Sequence, residues 1–169
     1  MTIRLYDVSV PTLVRGLSSL KGLLEKGAAH ASLRKFDPVG LLQARLAPDM
    51  FPFQRQVQVV CDNAKGAVAR LAGIDNPRHE DHETTFEELR ARVDKTLSFV
   101  GGATAAQFEG AAAREIVLTF PTQTLKFTGV DYWTHFALPN FYFHLTTAYD
   151  LLRANGVELG KRDFLGQIQ

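Results

Sequence analysis

His135, Asn140, His144 and Thr147 interrupt a largely apolar stretch near the C-terminal end of the chain, HFALPNFYFHLTTAYDLLRANG, residues 135–156. On a helical wheel at about 100° per residue, Asn140, Phe143, His144, Thr147 and Leu151 share one face, while Tyr142, Thr146, Tyr149 and Arg153 lie off it. The polar members of that face point inward, where each needs a partner. Imidazole, carboxamide and hydroxyl groups at this spacing can bind a small polar molecule, ligate a metal, or satisfy backbone groups. The last role has an obvious client. Pro139 removes an amide donor and its ring clashes with the carbonyl of His135, so the helix is expected to kink or restart there. Upstream, Gln54, Gln58 and Cys61 succeed one another at helical spacing and offer two amides and a thiol. Cysteine suits zinc, whereas an amide is a poor ligand for a transition metal and favours hydrogen bonding.

Helical elements must position these groups. Helix one is expected from Ser9, a serine cap with a proline in the first turn, and carries Leu13, Leu17, Leu20 and Leu24 at three- and four-residue spacing. DPVGLLQARLAPDM reads as a short connecting helix begun by Asp-Pro and stopped by Pro48. Helix two runs from about Asp49, its cap, to Leu71, with Phe53, Val57, Val60, Ala64, Ala67 and Leu71 in one stripe and Gly73 past its end. GIDNPRHEDHE is a polar loop, and TTFEELRARVDKTLSFVGG opens helix three on a capping box and closes it on a glycine pair. Alternation of Ile116, Leu118 and Phe120, then of Leu125 and Phe127, across Pro-Thr-Gln-Thr predicts a β-hairpin. Asp131 can cap the segment beginning DYWTHFAL, and the last helix continues from about Pro139 to Asn155, ending at Gly156. The tail has too few apolar residues for a packed element, although Phe164 and Leu165 can dock.

At 169 residues, 46% apolar and 22% charged, the chain fits one domain over residues 1–169. A net charge of +1 provides no basic field for nucleic acid or an anionic membrane. Cys61 is the only cysteine, which excludes an intramolecular disulfide and a cysteine-rich zinc site and fits a reducing compartment. The N-terminus lacks a signal-peptide pattern and no apolar run approaches about 20 residues, so the expected location is cytoplasmic. P-loop, GxGxxG, GxSxG and HExxH motifs are all missing. HEDHE, residues 79–83, has a metal-like composition but reads as solvated loop charge, and Cys61 as a small core residue.

HLTTAYDLLRANGV resembles the end of the final helix in DinB-like (YfiT-type) four-helix bundles, where a histidine twelve residues before a glycine belongs to a metal-binding HxxxH pair; His144 occupies that position. LYDVSVPTLVRGL, RLAPDMFPFQRQVQVVCDNAKG and the stretch from HFALPNF to GKRDFLG extend the likeness to an uncharacterised branch of that superfamily, over almost the whole chain. The resemblance implies an all-α, up-down four-helix bundle with a short hairpin inserted before the last helix. It also implies a pocket for a divalent metal, held by three histidines from helix two and the HxxxH pair. Here Asn140 replaces the first histidine of the pair and helix two has none, so no metal is expected; a zinc or nickel ion, if bound, would use His144 and Cys61. A family-type pocket would also bring Asp49 and the glutamines within reach of His135 and DYWTHF.

The leading expectation is therefore a bundle with a degenerate metal site and a polar pocket between helix two and the last helix. Gln54, Gln58, Cys61, His135, Asn140, His144 and Thr147 would bind a small molecule there. The rivals are a metal- or thiol-dependent transferase or hydrolase, with His144 as ligand or general base, and an interaction protein. A homodimer is expected through helix faces, with the aromatic residues of the last helix as the contact.

Overall fold

The computed structural model describes residues 3–166, so the first two residues of the N-terminal stretch and the last three of the tail lie outside the described residues. The chain runs α1 (Leu5–Arg34), α2 (Val39–Leu42), α3 (Phe53–Ala72), α4 (Phe86–Gly101), a 3-10 turn (Ala105–Phe108), β1 (Ile116–Thr119), β2 (Thr124–Phe127), α5 (Gly129–Asp131), a π-helical segment (Tyr132–Ala137), α6 (Leu138–Ala154) and α7 (Lys161–Leu165). The four long helices α1, α3, α4 and α6 form an up-down bundle, with α1 packed on α4 and α3 packed on both α4 and α6. Between α4 and α6 the strands pair antiparallel, Ile116 opposite Phe127 and Leu118 opposite Leu125.

The leucine stripe of α1 is fully buried, as are Phe53, Val57, Val60, Ala64 and Leu71 of α3, and one continuous apolar core joins the four helices. Helix one begins earlier than Ser9. Asp7 closes the first turn by accepting the Arg4 backbone N–H at 3.1 Å, and Ser9 is buried one turn later with its Oγ donating to the Leu5 carbonyl. Pro11 therefore sits inside the helix, on its exposed side, where water can reach the carbonyl that the ring leaves without a donor. Helix two begins later than Asp49. The Pro48–Asp49 pair belongs to an exposed turn closed by Met50 N–H to the Ala47 carbonyl at 3.0 Å, and Pro52 resets the chain before α3. The capping box of α4 has the expected form: the Thr85 hydroxyl accepts from Glu88 N–H at 3.1 Å, and Glu88 accepts from Thr85 N–H at 3.1 Å.

The expected break at Pro139 is a widening. Residues 132–137 wind as a π-helix that runs into α6 without interruption, and the wider turn accommodates the proline without a restart. Asn140 Nδ2 donates to the Phe136 carbonyl at 2.7 Å, which ties its side chain to the backbone of the widened turn. Gly129 lets the hairpin close against the bundle, since a Cβ at that position would lie 1.8 Å from the Ala111 carbonyl oxygen. The tail contributes more than the sequence promised: α7 lays Phe164 against Tyr142 and Tyr149, with ring centroids 6.4 and 5.8 Å apart.

Candidate functional site

The buried stripe of α6 is Phe141, Leu145, Ala148 and Leu152 with Leu151 beside it, rotated from the face centred on His144. His144 lies at the edge of that stripe, half-buried, and Phe143 projects outward with 57% of its surface exposed. Thr147 is buried and donates to the Phe143 carbonyl at 2.7 Å. Asn140 and Thr147 thus serve the backbone of their own helix.

His144 has a different kind of partner. Its Nδ1 is 2.7 Å from Oε1 of Gln56, a residue 1% exposed on α3. The amide of Gln56 is oriented in turn, because its Nε2 donates to the Phe51 carbonyl at 3.1 Å. A carbonyl can only accept, so the amide nitrogen faces Phe51 and the amide oxygen faces the imidazole. The imidazole must then carry its proton on Nδ1, which leaves Nε2 as a lone-pair acceptor. Among the described residues Nε2 meets no hydrogen-bond partner, and it is not one of the solvent-shielded unpaired atoms. Burial, and secondarily the Arg55 guanidinium, hold the histidine below its ordinary pKa.

Gln58 and Cys61 face α4 instead. Gln58 is buried and donates through Nε2 to Glu83 at 3.0 Å, while its Oε1 accepts from Arg55 at 3.2 Å. Glu83 pairs with Arg92 at 3.0 Å, and Arg92 also reaches Asp62 and Asp81, both at 2.9 Å, and the Glu80 carbonyl at 2.9 Å. Arg55 completes the cluster by an ion pair with Asp81, and its guanidinium lies 5.7 Å from the centre of the Phe51 ring. Burial alone would raise the Asp81 carboxyl, but Arg55 and Arg92 hold it lower than usual. The loop read as solvated charge therefore fastens onto a buried arginine through Glu80, Asp81 and Glu83. Next to that cluster, both ring nitrogens of His79 are shielded from solvent without a partner among the described residues. Desolvation, then Lys95, Lys65 and Arg92, keep this ring below its ordinary pKa.

Cys61 is wholly buried, and desolvation pushes its thiol up to about 12, a rise that the Thr96 hydroxyl and Arg92 offset only in part. It is a protonated core thiol rather than a nucleophile or a ready metal ligand. His135 is exposed, Asp49 stays in its exposed turn, and Gln54 accepts from Gln43 Nε2 at 3.0 Å near the surface. The structure thus separates the seven sequence candidates: Gln58 and Cys61 turn toward α4, His144 pairs with Gln56, Asn140 and Thr147 bond backbone carbonyls one turn before them, and Gln54 and His135 lie toward the surface. No group of three or more His, Cys, Asp or Glu gathers in metal-binding geometry among the described residues. The donor set does not fit the divalent ion of the superfamily.

Sequence reasoning missed Gln56 and Arg92, although both leave a trace. Gln56 falls three residues after Phe53 and four before Val60, inside the apolar stripe. Arg92 falls three after the buried Leu89 in the same way. A polar residue in a core register is the signal, and the neighbouring Gln54 and Gln58 mask it by making Gln56 one of a run of alternating glutamines.

Fold and comparison together define a DinB-like helical bundle. The chain belongs to the family described as Domain of unknown function (DUF1993), whose model matches residues 5–165. It is similar to a DinB family member protein from Shewanella denitrificans known from a crystal structure, with 44% identity, a TM-score of 0.90, and coverage of 97% of this chain and 93% of that one. A comparison with proteins of curated function gives no match.

Proposed function

We propose that the protein binds a small hydrogen-bond-donating molecule, an alcohol, amine or thiol, at the junction of α3 and α6, and that His144 Nε2 receives the donor. The chain from the Phe51 carbonyl through Gln56 to His144 Nδ1 carries this reading. An imidazole that only filled a gap in the core would not need its tautomer set by a buried amide, and the open Nε2 is the atom so prepared. A neutral imidazole with a lowered pKa remains an acceptor at neutral pH, and the same nitrogen would serve as general base if the bound molecule reacts. The exposed Phe143 edge, whose ring centre is 5.1 Å from that of His144, gives the ligand an apolar surface to lie on. Cys61 lends no support to a thiol-dependent reaction, because it is buried, protonated and turned toward α4. Two copies of the chain work together in this reading, since α1 keeps Pro11, Arg15, Ser18, Glu25 and Ala29 exposed along a strip beside α7.

Nitrogen-detected NMR of the imidazoles at neutral pH tests the site. His144 should show the Nδ1–H tautomer and lose that fixed state in Gln56→Leu. Small alcohols, amines and thiols added singly should shift His144 and Phe143 resonances, and His144→Leu should abolish the response. An Nε2–H tautomer, or shifts confined to other regions, would reject the proposal.

A further inference from the structure

The outer face of α1 carries a self-complementary pattern. Pro11, Arg15, Ser18, Gly22, Glu25 and Ala29 recur at alternating four- and three-residue steps, the 3.5-residue period of a helix-pairing seam, and they line one shallow trough beside α7. Most of them are small, so another backbone can come close. Gly22 is informative because nothing among the described residues calls for it: a Cβ there would meet no atom within 4 Å. A glycine in a helix interior weakens the helix, and here it leaves open space for a group from outside the chain. Ser19 lies at the floor of the same trough, its hydroxyl covered by Gly166 of its own chain and without a partner among the described residues.

Charge names the occupant. Counting inward from both ends of the seam, Pro11 mirrors Ala29, Arg15 mirrors Glu25 and Ser18 mirrors Gly22 about the level of Leu20. A two-fold axis there, with the helices antiparallel, would set each Arg15 against Glu25 of the partner subunit and each Ser18 against Gly22 of the partner subunit. A parallel pairing would instead set Arg15 against its own copy. Arg15 is exposed and has no acidic partner among the described residues, and Glu25 reaches Arg90 only at 3.5 Å. The flanking lysines are already used within the chain, Lys21 by Asp94 at 2.7 Å and Lys26 by Asp163 at 2.8 Å. The seam extends about 27 Å along the helix at 1.5 Å per residue.

We infer that a second copy of this chain docks on α1, antiparallel, with two reciprocal Arg15–Glu25 pairs across the axis. This rests on the homodimer of the functional reading and specifies its surface. It also replaces the expected contact, because Tyr142 and Tyr149 of α6 are half-covered by Phe164 of the same chain.

Sedimentation equilibrium of the full chain, with circular dichroism to check folding, decides the matter. Wild type should be a dimer at micromolar concentration. Arg15→Glu and Glu25→Arg each create two like-charge pairs and should weaken the dimer at least about tenfold. An equal mixture of these two variants sets a seam with only acidic charges against a seam with only basic ones, and should restore the dimer mass. Gly22→Trp should separate the subunits while leaving helicity unchanged. A monomeric wild type would reject both the homodimer and this surface. A dimer indifferent to all three variants would leave the homodimer standing and reject the α1 face. Single variants that separate without rescue on mixing would reject the antiparallel register.

Discussion

At the scale of single residues, the two side chains that attracted chemical interest in the sequence have opposite characters. His144 joins a buried amide on one side and is open on the other, so His144→Leu removes one hydrogen bond and leaves Gln56 Oε1 without its donor. A loss of about 1–3 kcal/mol is expected, read from the denaturant midpoint at unchanged slope. A larger loss would mean that the ring belongs to a closed structural network. Cys61 is sealed in the core with its thiol raised to about 12, so a disulfide reagent at neutral pH should label it only after denaturation. Rapid labelling of the native protein would contradict that burial. The position of His144 was legible in its spacing from Gly156, but the partner that defines its tautomer was not. A wheel drawn for one helix records the angle of a side chain and nothing of the helix opposite, so Gln56 could be found only by treating a glutamine in an apolar register as an anomaly.

Among elements, the connection from α3 to α4 shows why composition misled. Its carboxylates look solvated because they are consecutive and polar, yet they converge on Arg92, whose side chain is wholly buried one turn past Leu89 of α4. Arg92→Met keeps the bulk and the helix propensity and strands Glu83, which is buried. Breaking a buried pair in this way costs about 3–5 kcal/mol, and thermal or chemical denaturation should show it. Hydrogen exchange should rise across residues 78–84 at the same time. A variant as stable as wild type would show that the cluster is solvated in solution. The caps of α4 and the existence of the hairpin were readable because they depend on residues close together in the sequence. The start of α3 was not, because two prolines compete for it and only the packing of Phe53 into the core selects the second.

For the whole molecule, both perturbed histidines act in the same direction. His79 and His144 sit below the ordinary value of 6.5 in the folded state, so the unfolded chain binds their protons more readily. Their contribution is therefore fully present above about pH 6.5 and is lost as the pH falls through the lower folded-state values. Urea midpoints taken from pH 7.5 down to about 5 should decline in wild type. The decline should be shallower in a His79→Leu, His144→Leu double variant, and parallel curves would remove the histidines as its source. The bundle itself was legible in full because three- and four-residue periodicity, capping and one hairpin signal agree with one another along the chain. Less legible was the docking of the tail: Phe164 half-covers Tyr142 and Tyr149 of α6, while Phe143 stays exposed.

The wide turn at residues 132–137 amounts to one residue of slack in the winding of the last long helix. Removing a residue within that turn would let ordinary α-winding take over and shift the phase of everything before it by about 100° relative to everything after. Tyr132 and Trp133, now buried at 2% and 4% exposure, would swing out of the core while His144 kept its place on α3. The extra residue is thus a phase adjuster that lets the hairpin and the histidine both face the bundle. A one-residue deletion there should leave a helical protein with an unfastened hairpin, visible as increased exposure of Trp133 to a fluorescence quencher.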